Sequence, residues 1–333
     1  MIHNKPLDKN DLQYISDHLT HELEILKDTN IFLTGATGFF GKWILSSILY
    51  FNNNFKTNIN VVGLSRNPKQ FFDNYPFLND SNITFHTGNL KYLNDISDKF
   101  DFIIHAGMDV SNSLHNNDKS LLEDEEVIID QVIKLYRRSG SKKILYTSSG
   151  SYYGIYHSDE APPKEESIVR PNANPYHNAK ILSERKIVSS NINYSIARCF
   201  AFIGPYLPLK KNFATGNFIN NLLKNEDILI NSDGKAIRSF LHMTDLMIYL
   251  FKLLCIKENT ILNIGSDETV TISELAYLIS NQSKKTKVKI AKKYEGGKIN
   301  SYYPCIEKLT TTFDHKNLSL KESVLRTLNW YLK

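Results

Sequence analysis

The sequence predicts an α/β protein: a doubly wound parallel sheet with a smaller α/β lobe toward the C-terminus. Three observations lead there. From Asn30 onward, short apolar runs alternate with helical segments, as strands do when crossover helices join them. The first of these runs ends in a glycine loop, Thr34-Gly-Ala-Thr-Gly-Phe-Phe-Gly41. Past about residue 200 the alternation breaks into short pieces with prolines at 205 and 208. A chain of 333 residues is long enough for one large domain and a smaller appended unit.

Taken in order, residues 1–29 are polar with an apolar stripe at Leu12, Ile15, Leu19, Leu23 and Leu26, which predicts one amphipathic helix. That segment is an N-terminal extension rather than a domain. Strands are expected at 31–33, 59–64, 83–86, 102–105, 143–147 and 194–198, with a helix over 42–49 after the first and a longer one over 117–139 between the fourth and fifth. A further helix spans 176–190. Beyond it the spacing predicts a helix at 216–224, a strand at 228–230, an extended run at 238–242 and a helix through 245–254. A strand at 261–264, a helix from Ser273 and a last helix ending at Trp330 complete the chain. The domain expectation is therefore 30–200 for a dinucleotide-binding unit, to which some later segments return, and 201–333 mainly for a substrate-binding lobe.

Composition narrows the class. At 41% apolar and 11% aromatic, the chain is neither disordered nor low in complexity. Its net charge of +5 is mild and spread out, apart from lysines between 284 and 293, so anionic small molecules are favoured and nucleic acid is not expected. The three cysteines, Cys199, Cys255 and Cys305, have no metal-ligand spacing, so no metal site is expected and the thiols are read as reduced. No apolar run reaches the ~18 residues of a membrane helix, and the polar N-terminus does not look like a signal peptide. A cytoplasmic protein with no membrane partner is expected.

Two motifs carry chemistry. Gly35, Gly38 and Gly41 have the spacing G-x-x-G-x-x-G between a strand and a helix, which marks a Rossmann-type phosphate loop. Glycine lets the backbone turn tightly and approach a pyrophosphate, whose charge then sits at the helix N-terminus. Thr37, Phe39 and Phe40 belong to the same expected cofactor site. At the end of the second strand, in Gly63-Leu-Ser-Arg-Asn67, Ser65 stands where an NAD-binding protein usually has an acid, and Arg66 could pair with a 2′-phosphate. NADP(H) is accordingly favoured, with NAD(H) possible. Asn89 and Leu90 follow the third strand on the adenine side. The second motif is Tyr176-x-x-x-Lys180, two side chains one helical turn apart. A phenol ionises near ~10, so a neighbouring ammonium is needed to make it an acid–base group at neutral pH.

Together with His105-Ala-Gly107, Thr147-Ser-Ser-Gly-Ser-Tyr-Tyr-Gly154, Arg198-Cys-Phe-Ala-Phe-Ile-Gly-Pro205, Arg238-Ser-Phe-Leu-His-Met-Thr-Asp245 and Leu262-Asn-Ile-Gly-Ser266, these motifs give the chain its likeness. It resembles the extended short-chain dehydrogenase/reductases, the NAD(P)-dependent nucleotide-sugar epimerase/dehydratase group, over about residues 30–332. The resemblance implies that Ser149, Tyr176 and Lys180 are catalytic. Ser149 would bond the reacting oxygen, Tyr176 would move the proton and share the cofactor ribose with Lys180, and Lys180 would bind that nicotinamide ribose and lower the tyrosine pKa. It implies that His105, Ala106 and Gly107 line the cofactor. Arg238 would grip the diphosphate of a nucleotide sugar, with Ser149, Ser151, Tyr176 and Asn217 as further substrate contacts. Relatives are usually homodimers through two helices per subunit, which points to 117–139 and 176–190.

The departures from the family pattern favour one reaction. The 4,6-dehydratases follow the Ser/Thr with an Asp and a Glu; here Gly150 and Ser151 stand there, and neither is an acid or base near neutral pH. Where many members carry a substrate-binding Asn, this chain has Ala201. The expectation is NADPH-dependent reduction of the 4-keto group of a nucleotide-activated 6-deoxyhexose, in the making of surface-polysaccharide (O-antigen) sugars. An NAD-dependent 4-epimerase is the runner-up, a 4,6-dehydratase the third reading, and a non-enzymatic NADP-binding scaffold the last.

Overall fold

The computed structural model describes residues 4–108, 118–170, 174–209 and 213–333. Its order begins with helices α1 (Lys9–Asp17) and α2 (Thr20–Leu26), strand β1 (Asn30–Thr34), α3 (Phe39–Phe55), β2 (Asn60–Ser65), α4 (Pro68–Asn74), β3 (Ile83–Thr87) and β4 (Phe102–His105). Next come α5 (Asp118–Ser139), β5 (Lys143–Ser149), β6 (Tyr156–His157), α6 (Pro175–Ser189), β7 (Tyr194–Cys199) and β8 (Phe202–Ile203). The later elements are α7 (Ala214–Leu223), β9 (Ile228–Ile230), β10 (Ile237–Ser239), β11 (Leu241–His242), α8 (Met243–Cys255) and β12 (Thr260–Ile264). The chain ends with β13 (Thr269–Thr271), α9 (Ile272–Ser280), β14 (Val288–Ile290), β15 (Asn300–Tyr302), α10 (Glu307–Thr312) and α11 (Leu320–Leu332). Position 117, the expected first residue of the long helix, lies outside the described residues.

Seven strands form one parallel sheet in the order β12-β7-β5-β4-β1-β2-β3, so the doubly wound expectation holds. Its strands read as continuous apolar runs because both faces are covered. On one face Ile31, Leu33, Ile104 and Leu145 pack with α3 and α8; on the other Phe32, Ile103, Ile144 and Ile196 pack with Ile129 and Val132 of α5 and Ile187 of α6. The direction of winding reverses between β1 and β4. Such a switch point opens a crevice at the carboxyl ends of the strands, where ligands of α/β sheets bind.

Chain beyond residue 200 returns to this sheet: β12 closes its edge against β7, and α8 packs on β5 and β7. The remaining late strands make a four-stranded sheet, β13-β10-β15-β6, and two two-stranded pairs. The four-stranded sheet sets Arg238 of β10 beside Tyr302 of β15.

The N-terminal stripe forms two helices instead of the single one expected. The His18 N–H bonds the Ile15 carbonyl and closes α1, and the chain turns so that Leu19 is fully buried before α2 begins. Leu12, Ile15, Leu19, Leu23 and Leu26 are all buried, with α1 against α3 and α8 and α2 against α8. Hence α8 can be apolar on every side, with eleven of its residues buried.

Candidate active site

The glycine loop is built for close backbone approach. Gly35 has φ +71°, and a Cβ there would stand 2.5 Å from the Ala106 carbonyl oxygen, so the ends of β1 and β4 meet with no side chain between them. A Cβ on Gly41 would lie 2.3 Å from the carbonyl oxygens of both Gly35 and Ala36. The N-cap of α3 is Gly38, which offers no side chain to the first-turn N–H groups. Those donors and the positive end of a 17-residue helix therefore remain available to an anion. This cradle fits a dinucleotide pyrophosphate. Thr37 is exposed on the loop; Phe39 and Phe40 are half-buried, with Phe40 edge-on to Phe202 at 5.3 Å.

The other expected cofactor residues line the same crevice edge. Thr34 Oγ1 bonds His105 Nδ1 at 2.7 Å and accepts the Gly107 N–H at 3.1 Å, tying β1 to β4. Burial and the nearby Lys180 charge push the His105 imidazole down to about 3, so it is neutral. Ser65 spends its hydroxyl accepting the Asn67 N–H at 3.1 Å, while Arg66 is exposed. Asn89 is exposed, its side-chain oxygen accepting the Lys91 N–H at 3.0 Å, and Leu90 is half-buried against the sheet's second core.

Ser149 and the Tyr176/Lys180 pair converge at the carboxyl end of β5. Asn174 caps α6 by accepting the Tyr176 N–H at 3.0 Å, and Pro175 begins the helix. Ser149 is 6% exposed, in register with Cys199 of β7, and its hydroxyl hydrogen-bonds Tyr176 and lies 3.4 Å from the Tyr302 hydroxyl. Tyr176 is pushed up to about 12 by burial, which outweighs the hydrogen bond from Ser149. Lys180 does not act on it as expected. The ammonium is turned onto the Tyr146 hydroxyl at 3.1 Å and the Thr147 carbonyl at 3.0 Å, with its nitrogen 5.6 Å from the Tyr176 ring centre. The helical spacing brought the two residues to one face, but β5 supplied better partners for the amine. Tyr176 thus rests as a protonated phenol at neutral pH.

The space beside Ser149 is closed to a larger side chain. A Cβ on Gly150 would stand 2.6 Å from the Phe200 ring. The Ser151 hydroxyl is buried without a hydrogen-bond partner among the described residues, and its carbonyl bonds the His177 ring. Arg238 is half-buried, with burial drawing its guanidinium below the usual range and Nη1 donating to the carbonyls of Ile237 and Asn300. Asn217 is exposed on α7, and among the described residues no hydrogen bond ties its side chain to this cluster.

Three site residues escaped sequence reasoning. Tyr302 sits on a three-residue strand with no period to read, and only the pairing of β15 with β10 brings it over Ser149. Tyr146 passes as one more apolar strand residue. Glu125 hides in an acidic run, although its spacing from Ile129 and Val132 sets it in the buried stripe of α5. No group of His, Cys, Asp and Glu that could hold a metal occurs among the described residues.

A model of the NAD dependent epimerase/dehydratase family matches residues 31–265. Over 90% of this chain and 97% of the other, a Methanocaldococcus jannaschii protein carrying the provisional name UDP-glucose 4-epimerase is 25% identical. Among solved structures, an epimerase from Methanothermobacter thermautotrophicus superposes with a TM-score of 0.79 at 21% identity, covering 94% of this chain and 95% of that one. The UDP-glucuronic acid 4-epimerase of Bacillus cereus, solved with UDP-glucuronic acid and NAD, gives 0.73 at 21% identity, covering 91% and 99%.

Proposed function

The chain belongs to the NAD dependent epimerase/dehydratase family, and on that premise we propose that it is an NAD(P)-dependent enzyme that reduces the 4-keto group of a nucleotide-activated 6-deoxyhexose. Gly35, Gly38, Gly41, Ser65, Arg66, Asn89, His105, Gly107 and Lys180 hold the dinucleotide, which when bound supplies the hydride. Tyr176 keeps its proton at neutral pH and is poised to deliver it to the substrate oxygen, while Ser149 orients that oxygen. Arg238 is the candidate for the sugar-nucleotide diphosphate, since a guanidinium fork suits that anion.

The observation that carries the reading is the closed space at Gly150. With Phe200 2.6 Å from any Cβ there and a serine at 151, the site has proton transfer at one oxygen, and neither position 150 nor 151 offers an acid or base for eliminating water. That favours simple redox chemistry at C4 over dehydration. The absence of an acid at the end of β2, with Arg66 next to Ser65, supports NADPH. A C4 epimerase using NAD is the second reading, favoured by the full-length likeness to the Methanocaldococcus protein. The protein is expected to work as a homodimer through α5 and α6, whose outer faces expose Val127 (44%) and Val188 (46%).

The test is to supply NADPH or NADH with nucleotide-linked 4-keto-6-deoxy sugars and follow absorbance at ~340 nm. Consumption of NADPH is the expected result. Interconversion of C4 epimers with no net cofactor consumption would overturn it in favour of the second reading.

A further inference from the structure

A serine hydroxyl has one proton and two lone pairs, and at Ser149 the fold occupies both lone pairs. Ser149 ends β5 and caps the short 3-10 helix Gly150–Tyr153, its Oγ accepting the Ser151 N–H at 3.1 Å. The second group on that oxygen is the Tyr302 hydroxyl, at 3.4 Å. At that length the contact is long, as catalytic hydrogen bonds often are before substrate arrives. Tyr302 comes from another sheet: β15 carries it in the late four-stranded sheet, while Ser149 lies in the seven-stranded one. Its ring is set against Phe200 at 5.0 Å, and Phe200 in turn fills the space over Gly150.

The direction of the contact follows from what each hydroxyl has left. Burial holds the Tyr302 phenol above its ordinary value, so it keeps its proton. Among the described residues Ser149 is the one hydrogen-bond partner of that phenol, and a donor left without an acceptor there is costly. The phenol therefore donates to Ser149. With both lone pairs taken, Ser149 Oγ can only donate, and it is hydrogen-bonded to Tyr176. We propose that Tyr302 is a positioning residue: by filling the last acceptor site on Ser149 it fixes the serine as a donor, aimed at the oxygen that Tyr176 protonates. The inference rests on the reading of Ser149 and Tyr176 as the groups on that oxygen. A donor set in advance meets the substrate without first turning its hydroxyl. Without the Tyr302 hydroxyl, Ser149 regains an empty acceptor site, takes the Tyr176 proton instead and withdraws it from the substrate.

Tyr302→Phe in the full chain tests this, because it keeps the ring against Phe200 and removes only the hydroxyl. Its kcat should fall about 3–10-fold, the size of one hydrogen bond, with KM and dinucleotide affinity unchanged. In a Ser149→Ala background the same change should cost nothing further. Turnover is followed as NADPH oxidation and, in parallel, as interconversion of C4 epimers, so that failure of the ketoreductase reading leaves the comparison readable. An equal loss in both backgrounds, or a loss carried by KM, would overturn the proposal alone, since Tyr302 would then meet the substrate directly or serve packing. So would an undiminished kcat in Tyr302→Phe. Undiminished turnover in Ser149→Ala would instead sink the reading of Ser149 itself, and this inference with it. Should neither assay show turnover, the urea midpoints of the four ligand-free proteins decide: non-additive shifts support the hydrogen bond, and additive shifts overturn it.

Discussion

Glu184→Gln should cost about 3–5 kcal/mol of stability, the range for breaking a buried ion pair from one side. Arg198 and Glu184 are 4% and 3% exposed, and the guanidinium meets the carboxylate through Nε at 3.1 Å and Nη2 at 2.8 Å. Among the described residues this is the one ion pair that Arg198 makes. Its Nη1 is already committed to the Tyr153 hydroxyl at 2.8 Å and the Glu165 carbonyl at 2.7 Å, so no neutral partner can take over the charge. Ser148, next to Ser149, also donates to Glu184, so the single amide oxygen of glutamine would have to serve both it and the guanidinium. Glutamine keeps the size and removes the charge, leaving an uncompensated cation between α6 and β7. With an unfolding entropy of roughly 2.1 cal/mol/K per residue, that loss lowers Tm by about 4–7 °C. Calorimetry and urea denaturation of the two proteins would measure it. A loss under about 1 kcal/mol, the range of an exposed pair, would refute the reasoning. So would a coupling energy near zero in the cycle with Arg198→Met.

Four further outcomes follow from the same geometry. Tyr176→Phe should lower kcat by about 10²–10⁴ with dinucleotide affinity unchanged, measured by turnover alongside nucleotide fluorescence titration. Gly41→Ala puts a methyl 2.3 Å from two carbonyl oxygens and should abolish dinucleotide binding in the same titration, even if the chain folds. Leu19→Ala empties a fully buried site under α8 and should destabilise the protein by about 2–5 kcal/mol in urea, showing the N-terminal helices to be part of the core. Asp101 is partly buried, which raises its carboxyl pKa, but Lys142 and the Asn30 N–H outweigh that and hold it below the ordinary value. Its contribution is therefore present above the unfolded carboxylate pKa of ~3.9 and lost as pH falls through the lowered folded value, so Asp101→Asn should flatten the acid side of a Tm–pH curve.

What could be read from the sequence depended on how local the determining interaction is. The glycine loop, the fourth strand ending at His105 and the placing of Tyr176 and Lys180 on one helix are set by neighbours along the chain, and each falls where expected, while the first strand runs one residue past its expected end to Thr34. The split of the N-terminal helix and the orientation of the Lys180 amine are set by contacts with α8 and β5, which no local period encodes. Tyr302 is the extreme case, brought to Ser149 by the pairing of three-residue strands.

Gly150 shows why the distinction matters for function. The missing acid was legible, and by itself it suggests that one substitution could restore elimination chemistry. The packing says otherwise: Phe200 fills the position, held between Tyr153 at 6.3 Å and Tyr302 at 5.0 Å, so an aspartate at 150 must first displace a ring on which two others rest. Overpacking of that kind costs about 1–3 kcal/mol. It would also drag Tyr302 away from Ser149. The loss of the acid and the aromatic packing beside it therefore act together, and Gly150→Asp alone should yield a less stable, less active protein with no dehydrated product.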